Sequence, residues 1–222
     1  MMKHMMRNKQ GFTLVELAIV LVIIGLLLAT FLTSLTAQIA LRNNSETKAE
    51  LNEIREALVG YALSHSALDG RPFLPCPDTD GDGTENRLGP VCAYVVGQLP
   101  FSDLGLIGND SWNNPFTYRV TQNYANSAVG FGLATAGDIA VLNAAAGGNI
   151  IAVNVPAIVV SLGESGGIAP IVGADQLENT DGDVIYVNKD FAANAVNPYD
   201  DLVTWVSANI LMNRMVTAGR LP

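Results

Sequence analysis

The chain has 222 residues, of which 49% are hydrophobic and 15% are charged, and its formal net charge is −9 at pH 7. This length is sufficient for one substantial globular head beyond a membrane helix. The acidic balance argues against nucleic acid as a partner, because phosphates favour surfaces rich in Lys and Arg. The same balance is compatible with cation binding.

The N-terminal part of the sequence combines a short basic segment with a long apolar one. Lys3, Arg7 and Lys9 are the charged residues of the first segment, and residues 17–41 contain no charged side chain. At about 1.5 Å per residue, a helix of that length can cross a hydrocarbon core of roughly 30 Å. Positive charge favours the cytoplasmic side. The pattern predicts a single-pass membrane helix whose N terminus is cytoplasmic and whose C-terminal side is exported.

Glu16 lies at the start of this apolar run, where a carboxylate next to lipid is unfavourable unless it is paired or neutralised. The residues around it are Gly-Phe-Thr-Leu-Val-Glu-Leu at positions 11–17. This segment resembles the processing site of type IV prepilins and of the pseudopilins of type II secretion. A plain signal anchor, in which Glu16 lies at the level of the lipid headgroups, is the alternative.

The resemblance implies a role for each of three residues. A prepilin peptidase would cut between Gly11 and Phe12, the new terminal Phe12 would be N-methylated, and Glu16 would pair with the terminal amine of a neighbouring subunit. A buried carboxylate and a buried ammonium would each reduce the other's desolvation cost. The resemblance also implies a bacterial inner-membrane precursor with a periplasmic head. Its partners would be an inner-membrane assembly platform and other pilins or pseudopilins in a filament.

Helical periodicity continues beyond the apolar run. Leu51, Ile54, Leu58 and Tyr61 recur at steps of three and four residues, which predicts an amphipathic helix. The combined helix should extend over residues 13–66 and end before the Gly and Pro of the segment 69–72.

The remaining sequence favours strands. Segments rich in β-branched and aromatic residues predict strands at residues 116–121, 150–155, 157–162, 184–187 and 202–206. A last helix is predicted at residues 208–217, with Ser207 as its N-cap, and the Ala- and Gly-rich residues 134–148 are predicted to form a loop. The predicted fold is α+β and pilin-like, with a long N-terminal helix packed on a small antiparallel sheet. Its parts are a leader at residues 1–11, the helix at 12–68 with an apolar membrane and assembly half at 12–41, and a head at 69–222.

Two cysteines, Cys76 and Cys92, lie on the predicted exported side. An even count in an oxidising compartment predicts a disulfide, and a closed loop of about 15 residues would stabilise the head by about 3 kcal/mol. Metal ligation is the weaker alternative. Neither cysteine belongs to a Cys-x-x-Cys pair, and His65 is the histidine that remains after processing.

Two acidic segments are candidate calcium ligands. Asp78, Asp80 and Asp82 alternate with other residues ahead of Gly83, as in the first half of a calcium loop, but Gly89 stands where a bidentate glutamate is expected. A solvated acidic turn is the alternative for this segment.

The second candidate comes from the C-terminal half, where Asp110-Ser-Trp112 and the closing Asp200-Asp201 with Trp205 resemble the major pseudopilins. That resemblance implies a calcium site that includes Asp200 and Asp201. Ser165 stands where the family usually has an aspartate, and Asp181 and Asp183, in an inserted segment, are candidates to replace it.

Catalysis is not predicted. His65 alone cannot supply the arrangements that nucleophilic catalysis requires, and no phosphate-binding loop or His-Glu-x-x-His motif is present. The predicted function is that of a structural subunit in a type II secretion pseudopilus or a type IV pilus-like filament. One alternative is a minor or tip type IV pilin in adhesion or motility, and another is a membrane-anchored, calcium-dependent binding module that does not polymerise.

Overall fold

The computed structural model describes residues 11–168, 173–193 and 196–222, without the side chains of residues 29–37. The chain divides into two compact units, Met1–Arg42 and Asn43–Pro222. The predicted leader therefore lies outside the described residues except for Gly11.

The longest element is helix α1, Leu14–Ser64, which has 51 residues. It begins one residue after, and ends two residues before, the bounds expected from the sequence. Wherever side chains are described, no helix has the length and apolar character needed to cross a membrane. The predicted membrane segment extends into residues 29–37, whose side chains lie outside that description.

The second unit is α+β, as predicted, and contains nine short strands among its described residues. They are β1 Arg87–Leu88, β2 Val91–Cys92, β3 Val96–Gln98, β4 Thr117–Val120, β5 Ile139–Leu142, β6 Ile150–Val155, β7 Ala157–Ser161, β8 Ile185–Val187 and β9 Leu202–Val206. Three short α-helices are interspersed: α2 Phe101–Leu104, α3 Ala174–Glu178 and α4 Ala208–Thr217. A 3₁₀ turn spans Gln122–Tyr124.

The strands form a main antiparallel sheet and two smaller ones. The main sheet has the order β3-β4-β7-β9, and Tyr118 on β4 faces Val159 on β7, which faces Thr204 on β9. A three-stranded sheet has the order β6-β5-β8, and its β5–β8 pair is parallel. Residues 134–148 were predicted to form a loop, but residues 139–142 of this segment form strand β5. This strand is stabilised by hydrogen bonds to β6 and β8, and it is too short to be recognised from its own sequence.

Strand β7 separates two hydrophobic cores because side chains alternate across a sheet. Ala157 and Val159 belong to one core, and Ile158 and Val160 belong to the other. The first core also contains the apolar face of α1, on which Leu51, Ile54 and Leu58 are at most 3% exposed. The amphipathic helix predicted from their spacing is therefore confirmed.

Cys76 and Cys92 form a disulfide in the structure, with a Cα–Cα distance of 5.2 Å. Glu85 fixes the loop between them, since its Oε2 accepts the backbone N–H of Cys76 at 2.7 Å and its Oε1 accepts Nε–H of Arg87 at 2.8 Å. The hydroxyl of Tyr61 on α1 also donates to Oε1, at 3.2 Å. Burial raises the pKa of Tyr61 well above its usual value, so this hydroxyl keeps its proton. The loop is thus tied to α1 by a neutral donor.

Candidate processing and assembly site

Gly11, Phe12 and Thr13 form an exposed, non-helical segment directly ahead of α1. A Cβ atom added at Gly11 would meet no atom within 4 Å, and the backbone there is not in the left-handed region. The fold of the chain therefore does not require glycine at this position. A requirement for glycine would have to come from an enzyme that binds this segment.

Thr13 and Glu16 close the start of α1 with a reciprocal pair of hydrogen bonds. The backbone N–H and the hydroxyl of Thr13 donate to Glu16 Oε2 at 3.0 and 2.9 Å, and the backbone N–H of Glu16 donates to Thr13 Oγ1 at 3.2 Å. This is a capping box, in which two backbone donors at a helix start are satisfied by side chains. The spacing Thr-x-x-Glu ahead of an apolar run is its sequence signal, and the sequence analysis missed it.

The first turns of α1 carry apolar side chains that the chain itself leaves uncovered. Every residue from 12 to 28 is exposed, and a shallow apolar groove runs between Leu14, Val15, Ala18, Ile19, Val22 and Ile23. A helix that is apolar on all sides is typical of one that is buried in a larger assembly or in a membrane. Glu16 is the one acidic side chain among residues 12–28, and it lies within this apolar surface.

The N-terminal segment also matches a known family model. The model for the prokaryotic N-terminal methylation motif matches residues 6–32. The chain therefore carries a prokaryotic N-terminal methylation motif. This motif is consistent with the type IV pilin and pseudopilin family, whose members are structural proteins rather than enzymes. It implies processing by a prepilin peptidase and assembly with other pilins, and it includes Gly11, Phe12 and Glu16.

The match ends at residue 32, well before the head begins. No curated protein and no solved structure shows significant similarity to the chain. The head must therefore be interpreted from its own residues.

The structure brings the first predicted calcium ligands together. Single carboxylate oxygens of Asp78, Asp80 and Asp82 lie within 4.8 Å of one another. Asp78 is fully buried and already accepts three backbone N–H groups, from Asp80 at 3.1 Å, Gly81 at 2.7 Å and Gly83 at 2.8 Å. The Thr84 hydroxyl, which donates to Asp82 at 2.6 Å, holds the pKa of that carboxyl below its usual value. The turn is thus ordered by its own donors, and each carboxylate retains lone pairs for a cation.

The remaining predicted ligands fall into two separate places. Asp181 and Asp183 group with Glu178, which the sequence analysis did not propose, and their oxygens lie within 4.8 Å of one another. Among the described residues, Asp200 and Asp201 belong to no such group of three. The two acidic segments predicted to share one site therefore do not form a common cluster in the structure.

Asp200 and Asp201 are instead hydrogen-bonded to neutral side chains. Asp200 accepts the backbone N–H of Ser165 at 2.7 Å and the side-chain amide of Gln176. Asp201 is 3% exposed and accepts Nδ2–H of Asn179 at 2.8 Å. Burial raises the pKa of Asp201 to about 7, and the charge of Asp200 adds to the increase. These carboxylates are therefore held in place by amide and backbone donors from the segment 165–179.

Proposed function

We propose that this chain is a structural subunit of a type II secretion pseudopilus or a type IV pilus-like filament. A prepilin peptidase would cut it between Gly11 and Phe12, and the processed subunit would assemble through its N-terminal helix. The observation that carries the proposal is the methylation motif, whose described part consists of the exposed, non-helical residues 11–13 and the exposed apolar start of α1.

The cut changes the chemistry of the helix start. It creates an α-ammonium at Phe12, which is then N-methylated. Glu16 uses only Oε2 for the capping box, and its Oε1 accepts no hydrogen bond within the described residues. This free oxygen suits the terminal ammonium of a neighbouring subunit. Such a pair would hold the apolar helices of a filament in a fixed axial register, because an unpaired charge among them is costly.

Before assembly, the apolar part of α1 would lie in the bacterial inner membrane with the N terminus in the cytoplasm and the head in the periplasm. Two observations support this arrangement. Residues 17–41 contain no charged side chain, and the head contains a disulfide, which persists in an oxidising compartment. Removal of the leader leaves nine basic and 21 acidic residues, a formal charge of −12.

The processing step is tested by the intact mass and the N-terminal peptide of the membrane-extracted protein, from cells with and without a prepilin peptidase. We expect a terminus at Phe12 with one added methyl group, and the loss of both without the peptidase. Gly11→Val should prevent the cut. Gly25→Ala, at a second glycine whose surroundings are open, should leave processing unchanged. A terminus at Met1 in cells that contain the peptidase would contradict the proposal.

The role of Glu16 can be separated from its part in the capping box. Glu16→Gln keeps an acceptor for Thr13 but removes the charge, whereas Thr13→Ala removes the cap and keeps the charge. We expect Glu16→Gln to abolish incorporation into the filament and Thr13→Ala to retain most of it, as measured by the amount of subunit in sheared filaments. The reverse order of effects would show that Glu16 serves only to cap the helix.

Calcium at the Asp78 turn remains a prediction. If the turn binds calcium, millimolar calcium should raise the thermal unfolding temperature of the head relative to excess chelator, and the double variant Asp80→Asn/Asp82→Asn should lose that increase. An unchanged unfolding temperature would identify the turn as a solvated acidic loop. The same measurement on Asp181→Asn/Asp183→Asn tests the second cluster.

A further inference from the structure

Asp200 and Asp201, directly ahead of β9, are the carboxylates at which the resemblance to the major pseudopilins implies calcium. A calcium ion is bound by roughly six to eight oxygen atoms at about 2.3–2.6 Å, and it repels hydrogens that carry partial positive charge. The side chains that face the two carboxylates present such hydrogens. Gln176 Nε2–H donates to Asp200 Oδ1, and Asn179 Nδ2–H donates to Asp201 Oδ2 at 2.8 Å. Each carboxylate therefore already has an amide donor on an oxygen that calcium would need.

The orientation of the Asn179 amide is fixed by the backbone of β8. Its Oδ1 accepts the backbone N–H of Val187 at 2.8 Å, and its Nδ2 also donates to the carbonyl oxygen of Val187 at 3.1 Å. Rotation of the amide by half a turn would bring donor against donor and acceptor against acceptor, and both bonds would be lost. Asn179 is 2% exposed, so water does not replace them. Nδ2 therefore points at Asp201, and Asn179 offers no oxygen to a cation there.

Asp200 accepts hydrogen bonds at both of its carboxylate oxygens. Ser165, which stands where the resemblance expects an aspartate, donates its backbone N–H to Oδ2 at 2.7 Å, and Gln176 donates to Oδ1. The hydroxyl oxygen of Ser165 also lies 3.0 Å from Oδ1. Among the described residues, no further acidic side chain forms a group of three with Asp200 and Asp201. The residues present here therefore do not fit a calcium ion.

Helix α3 also binds the segments on either side of this carboxylate pair. It has five residues, Ala174–Glu178, too few for a stable isolated helix. Its Asp175 is 3% exposed, forms an ion pair with Lys189 and accepts Nδ2–H of Asn197 at 2.8 Å. Together with Asn179, α3 thus contacts the end of β8 and the segment that leads into β9. A structural metal ion stabilises a fold in the same manner, by binding side chains from separate segments.

We propose that helix α3 and Asn179 replace the calcium ion at this position: the amides of Gln176 and Asn179 hold Asp200 and Asp201 in place without a metal. The position of the segment that leads into β9 is then independent of calcium. This inference does not rest on the filament role, because every residue involved lies in the second unit. It also does not depend on whether the Asp78 turn binds calcium.

The test measures hydrogen exchange by NMR in the full chain, at the backbone amides of Ser165 and Val187, which donate to these side chains. An amide of β7 reports unfolding of the whole head. The variant Asp181→Asn/Asp183→Asn is the background, so that a cation at the neighbouring cluster does not act on α3. We expect the exchange rates of both amides to agree within about twofold in millimolar calcium and in excess chelator. An increase of about tenfold or more in chelator would overturn the proposal.

Gln176→Ala and Asn179→Ala should accelerate exchange at Ser165 and Val187, respectively, by about tenfold or more in both solutions, because each removes a buried hydrogen-bonding partner. Leu177→Ala is the matched control, since Leu177 lies on the same helix, is 53% exposed and has an apolar side chain. It should leave both rates unchanged. If Asn179→Ala accelerates the β7 amide equally, the whole head has unfolded, and Gln176→Ala, which keeps the Asn179 bonds, decides. Unchanged rates in the two alanine variants would overturn the proposal.

Discussion

Leucine side chains of helix α1 are exposed in the first unit of the chain and buried in the second. Leu17 and Leu21, in the first unit, are 57% and 61% exposed, whereas Leu51 and Leu58, in the second unit, are 3% and 0% exposed. All four leucines belong to helix α1. The difference shows that the second unit satisfies its apolar residues within the chain, because strands pack on that part of the helix. The first unit leaves its described apolar surface exposed, as the proposed assembly through the N-terminal helix requires.

The largest expected effect comes from a comparison of the same Leu→Ala substitution in the two units. Leu58→Ala should lower the free energy of unfolding of the head by about 2–5 kcal/mol, because it creates a cavity in the first core. Leu21→Ala should change it by less than about 0.5 kcal/mol. Urea unfolding followed by fluorescence measures the head alone, since both tryptophans, Trp112 and Trp205, lie there. Equal shifts for the two variants would refute the contrast.

Removal of the disulfide should also destabilise the head and leave the N-terminal segment unaffected, with a slightly smaller change in the free energy of unfolding. Replacement of Cys76 and Cys92 by serine should lower the free energy of unfolding of the head by about 3 kcal/mol, because the unfolded chain loses a constraint. The N-terminal segment should still be cut at Gly11 in the same variant, since its exposed residues do not depend on the head's core. Unfolding in urea and N-terminal mass report the two outcomes. An unchanged unfolding midpoint would show that the core alone fixes the loop.

Asp201 gives the stability of the head a dependence on pH. Its pKa, raised by burial to about 7, lies above that of an unfolded aspartate, so the native head binds the extra proton. This contribution favours folding below the unfolded pKa and is lost as the pH rises toward 7. Asp201→Asn should therefore stabilise the head at pH 7.5 by on the order of 2 kcal/mol and have little effect at pH 4. Urea unfolding at both pH values checks this, and a uniform effect would contradict it.

The smallest expected effect concerns the capping box. Thr13→Ala should destabilise the first turn of α1 by about 1 kcal/mol, and Thr13→Ser should not, because serine keeps the hydroxyl. Hydrogen exchange at the amides of Val15, Glu16 and Leu17 should become faster only in the alanine variant. The unfolding midpoint of the head should be the same in both. A change in that midpoint would show that the first turn of α1 and the head are energetically coupled.

Several elements follow directly from local sequence. Strands β6 and β9 and helix α4 have the bounds that their residue types predict, and the spacing of Leu51, Ile54 and Leu58 predicts the buried face of α1. The short strands β1, β2, β3 and β5 and the short helices α2 and α3 were not predicted. They contain two to five residues each, too few for a periodic signal, and their hydrogen bonds come from distant segments.

The candidate sites divide in the same way. Gly11, Phe12, Thr13 and Glu16 are neighbours in the chain, so the sequence alone determined their motif and, in its Thr-x-x-Glu spacing, their capping box. Which carboxylates meet was decided only by the tertiary structure: Glu178 joins Asp181 and Asp183, whereas Asp200 and Asp201 face Gln176 and Asn179. Chain neighbours interact through local geometry that residue order specifies, but contacts between distant segments depend on how the sheets and cores pack.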